Sequence, residues 1–328
     1  MSTLRIGPRP FLLLCRITLA TVVLNVVTGA AVRLSDSGLG CPDWPTCSQH
    51  HLTPPLALHP VIEFGNRMVV GLLVVACLVT VVASFRRVPE GRRDLQWLSG
   101  GLIVGVIGEA VIGAFVVYSK LNAYVVMVHF MVGMALVAVA VELTLRAGHG
   151  GGRGTLVVSR SALWLTRALV TLVVVVLAAG AATTGSGPHA GGKGAKRIPI
   201  GLEDMTRIHA EIVLAAGVLL LALLWVLWRT DAPSRVQDAG RVVLVVMVVQ
   251  GIIGYTQFFT HLPAVLVGFH VFGASMVWAV VLWFHHGLSD HRPESVTTPG
   301  AGDEGRRPTS RLVGTGTGAG PSAVREPV

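Results

Sequence analysis

Charge is what this chain has least of. Only 13% of its 328 residues are Asp, Glu, Lys or Arg, against 52% hydrophobic, and the mean hydropathy is +0.68. Those values exclude an ordinary soluble enzyme, and repeated apolar runs of about 20 residues read as transmembrane helices. The net charge of +9 would suit nucleic acid. No basic face interleaved with aromatics carries it, however. The Lys and Arg residues sit in short loops between the apolar runs and in the C-terminal tail, so nucleic acid is excluded as a partner. Cysteine is scarce as well, at four residues. Cys15 and Cys77 fall inside apolar runs and read as small apolar fillers. No cleavable signal peptide is expected, because the first apolar run has full span length and no convincing small-residue cleavage site follows it.

What is present is span after span. The apolar runs predict eight transmembrane helices, at roughly 11–32, 63–84, 97–117, 122–145, 162–184, 205–228, 241–259 and 264–285. The expected fold is an all-α integral membrane protein. Arg5 and Arg9 precede the first span. Arg86, Arg87, Arg92 and Arg93 join the second and third, Arg146, Arg153 and Arg160 the fourth and fifth, and Arg229 and Arg235 the sixth and seventh. Arg292, Arg306, Arg307 and Arg311 follow the last. All of these fall on one side, which predicts cytoplasmic N- and C-termini in a multi-pass cell-membrane protein. Lys193, Lys196 and Arg197, between spans five and six, oppose that orientation and are outnumbered.

The loop after span one, Leu34 to Cys47, is dense in Gly, Pro and Cys. Cys41 and Cys47 would face an oxidising compartment, which favours a disulfide stapling a turn shaped by Pro42 and Pro45. A thiol pair that binds metal or exchanges redox equivalents is the alternative. Glu63 and Asn66 open span two on one helical face, and Arg67 follows. Snorkelling to the interface suits Arg67 better than the shorter Glu63. Glu109 lies near the middle of span three, where an ionised carboxylate costs on the order of 2.5–3.5 kcal/mol, so it is expected to be protonated or paired inside the bundle. Structural and functional readings of Glu109 both stand. The tail from about 287, rich in Gly, Pro, Ser, Thr and Arg, reads as disordered.

The two halves repeat. Glu109-Ala-Val-Ile-Gly113 precedes His129 by the same interval that separates Gln250-Gly-Ile-Ile-Gly254 from His270. Gly29-Ala-Ala in span one matches Gly180-Ala-Ala in span five. The step from Asn66 to His129 nearly equals the step from His209 to His270. Asn66 therefore corresponds to His209, and His129 to His270. Four spans per half give a parallel repeat about an axis along the membrane normal. The predicted organisation is an N-terminal half at 1–146, a Gly-rich linker at 147–161, a C-terminal half at 162–286 and a tail at 287–328. Each half is expected to be a four-helix bundle, the two pseudo-symmetric.

The four matched positions lie in the early turns of even-numbered spans, at one depth. Bundles build cofactor sites between facing helices. His209 and His270, facing across the second half, predict a bis-imidazole haem site. The first half offers His129 opposite Asn66, a poor iron ligand, and predicts one axial histidine with an open position beneath Glu63. A purely structural His129, in a half without haem, is the competing reading.

These residues resemble the haem A synthase family. The resemblance spans roughly residues 11–285. It is carried by Arg33, the stretch Ser37-Gly-Leu-Gly-Cys-Pro-Asp-Trp-Pro with Cys47, Glu63-Phe-Gly-Asn-Arg67, and the histidines at 129, 209 and 270. It implies eight spans in two four-helix halves and an oxidoreductase that converts the C8 methyl of haem O to the formyl group of haem A, for use in terminal oxidases. The family scheme is two hydroxylations and a dehydration. It implies haem b, with its iron, on His209 and His270, a substrate haem at His129 with Glu63 nearby, and a Cys41–Cys47 disulfide. Asn66 departs from the histidine that many members carry, which questions bis-histidine ligation of the substrate haem here. On chemical grounds Glu63 is the candidate for proton handling or for steadying developing charge. Arg33 and Arg67 are candidates for haem propionates, or else for simple solvation. Expected partners are the lipid bilayer, haem O with the farnesyltransferase that makes it, and an electron-transfer partner of unknown identity. A homo-oligomer is compatible with the sequence. A quinol-linked diheme cytochrome and a haem-delivery protein are the readings from other classes.

Overall fold

The computed structural model describes residues 5–41, 43–44, 46–47, 53–152, 154–192 and 195–291. Pro42, Pro45, Arg153, Lys193 and the tail from 292 onward, on which parts of the sequence reading fall, lie outside the described residues.

Eight long helices carry the chain: α1 (Pro8–Leu34), α2 (Leu58–Arg86), α3 (Arg93–Tyr118), α4 (Ala123–Ala147), α5 (Arg160–Ser186), α6 (Leu202–Arg229), α7 (Ser234–Phe259) and α8 (Ala264–His286). Each is long and apolar enough to cross a membrane. The protein is an all-α, multi-pass membrane protein. The helices exceed the predicted spans mainly at their polar ends. In α7 the turns holding Arg235, Gln237, Asp238 and Arg241 are helical although too polar for the apolar window. The only strands among the described residues are β1 (Thr155–Leu156) and β2 (Ser289–Asp290), paired antiparallel.

Neighbouring helices close two rings. α1 packs on α2 and α4, and α3 packs on α2 and α4; α5 packs on α6 and α8, and α7 packs on α6 and α8. The rings meet where α8 touches α1 and α4, and where α4 touches α5. Leu73, Leu102, Val137 and Leu143 fill the first ring, and Leu169, Leu220, Leu223 and Phe284 the second, all essentially inaccessible. Trp278 Nε1 donates to the Met134 carbonyl at 2.9 Å across the seam. Trp97, Leu214, Val245 and Phe269 point outward, as lipid-facing side chains do. Cys15 and Cys77 are buried thiols on the facing helices α1 and α2.

Even-numbered helices all start at the end of the molecule that holds the Cys41–Cys47 loop, the disulfide end. The loops there interlock the halves: Gly38 N donates to Gly191 O at 3.0 Å, and Ala123 N to Lys196 O at 3.1 Å. The opposite end gathers the start of α1, the close of α8, the arginine-rich loops and the small β1–β2 ribbon.

Candidate functional site

The four matched positions lie in α2, α4, α6 and α8, towards the disulfide end. Each is held differently.

Glu63 is buried in the second turn of α2. Each of its carboxylate oxygens accepts a hydrogen bond. Oε2 accepts from the Cys41 backbone N at 2.7 Å, and Oε1 accepts from Arg67 at 2.7 Å, an i,i+4 pair. Arg67 also donates to the carbonyls of Asp43, Thr46 and Cys41 at 3.0, 2.9 and 3.2 Å. Cys41 and Cys47 form the disulfide, closing a short loop that Glu63 and Arg67 then clamp onto the head of α2. Gly40 makes the close approach possible, because a Cβ there would stand 2.6 Å from the His59 carbonyl.

Asn66, one turn on, turns towards α1, where its Oδ1 accepts from Thr28 Oγ1 at 2.7 Å. Gly29, beside Thr28, has nothing within 4 Å of where a Cβ would lie. Its counterpart in the second half, Gly180, lies 3.1 Å on the same measure from His209 Cε1. A glycine that makes room for an imidazole in one half thus faces open space in the other, because Asn66 is shorter and turned aside.

His129 in α4 is partly exposed, and its Nδ1 contacts the Glu109 Oε2 carboxylate of α3. Glu109 is buried. The sequence leaves it between structural and functional roles; the geometry makes it the partner of His129. In the second half Gln250 of α7 takes the corresponding position. Its Nε2 lies 3.0 Å from His270 Nδ1 and donates to the His270 carbonyl at 2.7 Å. Sequence reasoning missed this role of Gln250, although the offset it shares with Glu109 pointed to it. Glycines keep the Gln250–His270 pair close. A side chain at Gly273 would collide with the Gln250 amide, and one at Gly254 would stand 3.0 Å from His270 Cε1.

His209 and His270 face each other inside the second ring. Their ring centroids are 6.4 Å apart and their planes are crossed at 80°. Two metal–imidazole bonds of about 2 Å, with about 1 Å from each nitrogen to its ring centre, also span roughly 6 Å. The separation of the two rings is therefore the one that two imidazoles sharing a metal ion would have. The first half has no such pair at the matched positions, where Asn66 faces away.

Arg33 closes α1 and reaches the other half. Its Nε donates to His189 O at 2.6 Å, and an NH2 to Thr184 O at 2.7 Å.

The model for the family described as COX15-CtaA, cytochrome oxidase assembly protein, matches residues 13–60 and 58–191, more than half of the chain. The chain belongs to the COX15-CtaA family. Among similar curated proteins is the heme A synthase of Geobacillus kaustophilus, 32% identical over 107 residues, or 32% of each chain. The heme A synthase of Shewanella oneidensis is 30% identical over 152 residues, covering 40% of this chain and 44% of that protein. That of Alkalihalophilus pseudofirmus is 26% identical over 168 residues, covering 50% and 56%. The chain thus matches between 32% and 56% of the length of these relatives. The family match covers the first ring from residue 13 of α1 onward and all of α5, and with them the Glu63, Asn66, Glu109 and His129 constellation.

Proposed function

We propose that this chain is a haem A synthase, an oxidoreductase that converts the C8 methyl of haem O to the formyl group of haem A for terminal oxidase assembly. The observation that carries the reading is the crossed imidazole pair, His209 and His270, repeated in register as Asn66 and His129 in a half that also holds Glu63. The names of the curated relatives agree with it.

In this reading the C-terminal half, 162–286, holds haem b through His209 and His270, and the N-terminal half, 1–146, holds haem O against His129. Haem b bound there supplies a one-electron redox centre. The residues do the rest. His270 would hold the iron through Nε2, because its Nδ1 faces the Gln250 amide, which also donates to the His270 carbonyl and so fixes the ring. Glu109 serves His129 Nδ1 from the corresponding position, with a carboxylate in place of the amide. Asn66 leaves the face opposite His129 open. Glu63, fixed by Arg67 and the Cys41 amide, supplies a preorganised charge and a proton acceptor within one turn of that face.

The arginine-rich loops support a cytoplasmic position for both termini and an outer position for the disulfide end, in the cell membrane. Haem O would arrive from its farnesyltransferase, laterally within the bilayer.

The test is expression in a haem O-producing host that lacks its own haem A synthase, followed by chromatography of the extracted haems. Haem A appearing only with this chain supports the proposal. Haem B and haem O alone, from well-folded protein supplied with its redox partner, overturn it in favour of an electron-carrying cytochrome.

A further inference from the structure

A second histidine cluster lies at the end opposite the disulfide, remote from the haem positions. His149 follows α4, His286 is the last residue of α8, and His291 follows β2. One nitrogen from each lies within 4.8 Å of the others. The rings are stacked, with centroids 4.2 Å apart for His149 and His291, 4.3 Å for His286 and His291, and 4.9 Å for His149 and His286.

The orientation of the rings is informative. Nε2 of His149 and Nε2 of His286 point at each other, 2.7 Å apart. Their other nitrogens point away, towards acceptors: His286 Nδ1 lies 3.5 Å from Glu142 Oε2, and His149 Nδ1 lies 3.4 Å from the Gly150 carbonyl. Nε2 of His291 is buried with no hydrogen-bond partner. The 2.7 Å contact is a hydrogen bond between the two rings; a metal ion would take the place of its proton and spread the two nitrogens to roughly 3.3 Å, the spacing of ligands on a tetrahedral zinc, while the outer nitrogens keep the carboxylate and carbonyl that fix the tautomer.

The surroundings hold the cluster in place. Arg92, paired with Asp94 through two contacts of 3.0 Å, donates to the carbonyls of His149 and Arg146 at 2.8 Å each. The β1–β2 pairing draws His291 over the linker, and Gly154 leaves room for it, since a Cβ there would stand 2.7 Å from His291 Cε1. Glu142 is itself anchored by Arg146 at 2.5 Å.

We propose that His149, His286 and His291 bind a divalent transition-metal ion of zinc-like preference, with Glu142 orienting His286. Three imidazoles suit zinc, leaving a fourth position for water or an exogenous ligand. The ion bridges the two halves, because His149 extends the first ring and His286 ends the second. Its role is to clamp the linker and the end of α8 together. The site owes nothing to the haem positions and stands whether or not the chain makes haem A.

The experiment uses the full-length chain without a histidine tag, purified in detergent with its haem retained. The protein is treated with a chelator, equilibrated with Zn2+ and washed, and its zinc is counted by elemental analysis. One zinc per chain is expected beyond that in the His149→Ala/His291→Ala double variant, with each single variant binding zinc about tenfold or more weakly. Zinc is also expected to raise the melting temperature of the parent and not of the double variant. Gly154→Val, which crowds His291 without removing a ligand, is expected to weaken zinc binding too, and it keeps the test open if the double variant misfolds. Equal zinc in parent and variants, or none in either, overturns the proposal and leaves a hydrogen-bonded stack of imidazoles.

Discussion

Glu109 holds His129 by its Nδ1 nitrogen, and the residue that does the same for His270 is the uncharged Gln250. The repeat has kept the position and changed the charge. A carboxylate that takes the Nδ1 proton makes the imidazole a stronger donor to whatever its other nitrogen binds, and an amide does so much less. Removing the charge should make the first-half centre easier to reduce. Glu109→Gln is expected to raise its midpoint potential by on the order of 60 mV, about one tenfold step for a single electron. Redox titration of the purified variant checks this, and an unchanged potential with normal haem content would contradict it.

Glu63 and Arg67 share a buried pair that also grips the disulfide loop. Glu63→Gln preserves the shape and one acceptor oxygen but removes the charge. Haem A formation is expected to fall by about a hundredfold or more, in line with the loss of a positioned acid–base group. Bound haem should stay near the parent level. Full activity in this variant would remove Glu63 from the chemistry.

Arg67→Ala should act differently. It strands a buried carboxylate and frees the carbonyls of Cys41, Asp43 and Thr46, so the loss belongs to stability, roughly 3–5 kcal/mol for a broken buried pair. Thermal denaturation in detergent is the measurement, with a fall of several degrees expected. A melting temperature equal to that of the parent would mean that the clamp contributes little.

Asn66 is turned onto Thr28, with open space beside Gly29. Asn66→His is expected to fill that space much as His209 does beside Gly180 and to give the first half a low-spin, bis-histidine spectrum. Optical and electron paramagnetic resonance spectra would then show two low-spin centres per chain. A single unaltered low-spin centre, in protein that retains haem in its first half, would place Asn66 away from the iron.

Much of this was legible in the sequence, and the exceptions have physical reasons. Hydropathy located all eight helices, but it could not follow α7 into the polar turns at Arg235 and Asp238, which stay helical outside the apolar core. The Cys41–Cys47 bridge is the favoured of the two readings that the loop left open, and the structure contains it. The repeat correctly aligned Glu109 with Gln250, yet the contacts both make to histidines on the next helix depend on packing that periodicity does not encode. The sequence places Glu63 near the space beside Asn66. That its two oxygens are taken by Arg67 and the Cys41 amide is a tertiary fact, set by where Gly40 lets the loop lie. The triad of His149, His286 and His291 left no trace, because its members come from two helix ends and a ribbon with no common spacing.

The division of labour between the halves is the central claim, and spectra of two single variants test it most directly. His129→Ala should keep the low-spin centre of His209 and His270 and make no haem A, whereas His270→Ala should lose that centre. If His270→Ala leaves the low-spin spectrum intact, or if both variants lose the same component, the histidines of the second half are not a ligand pair and the account fails.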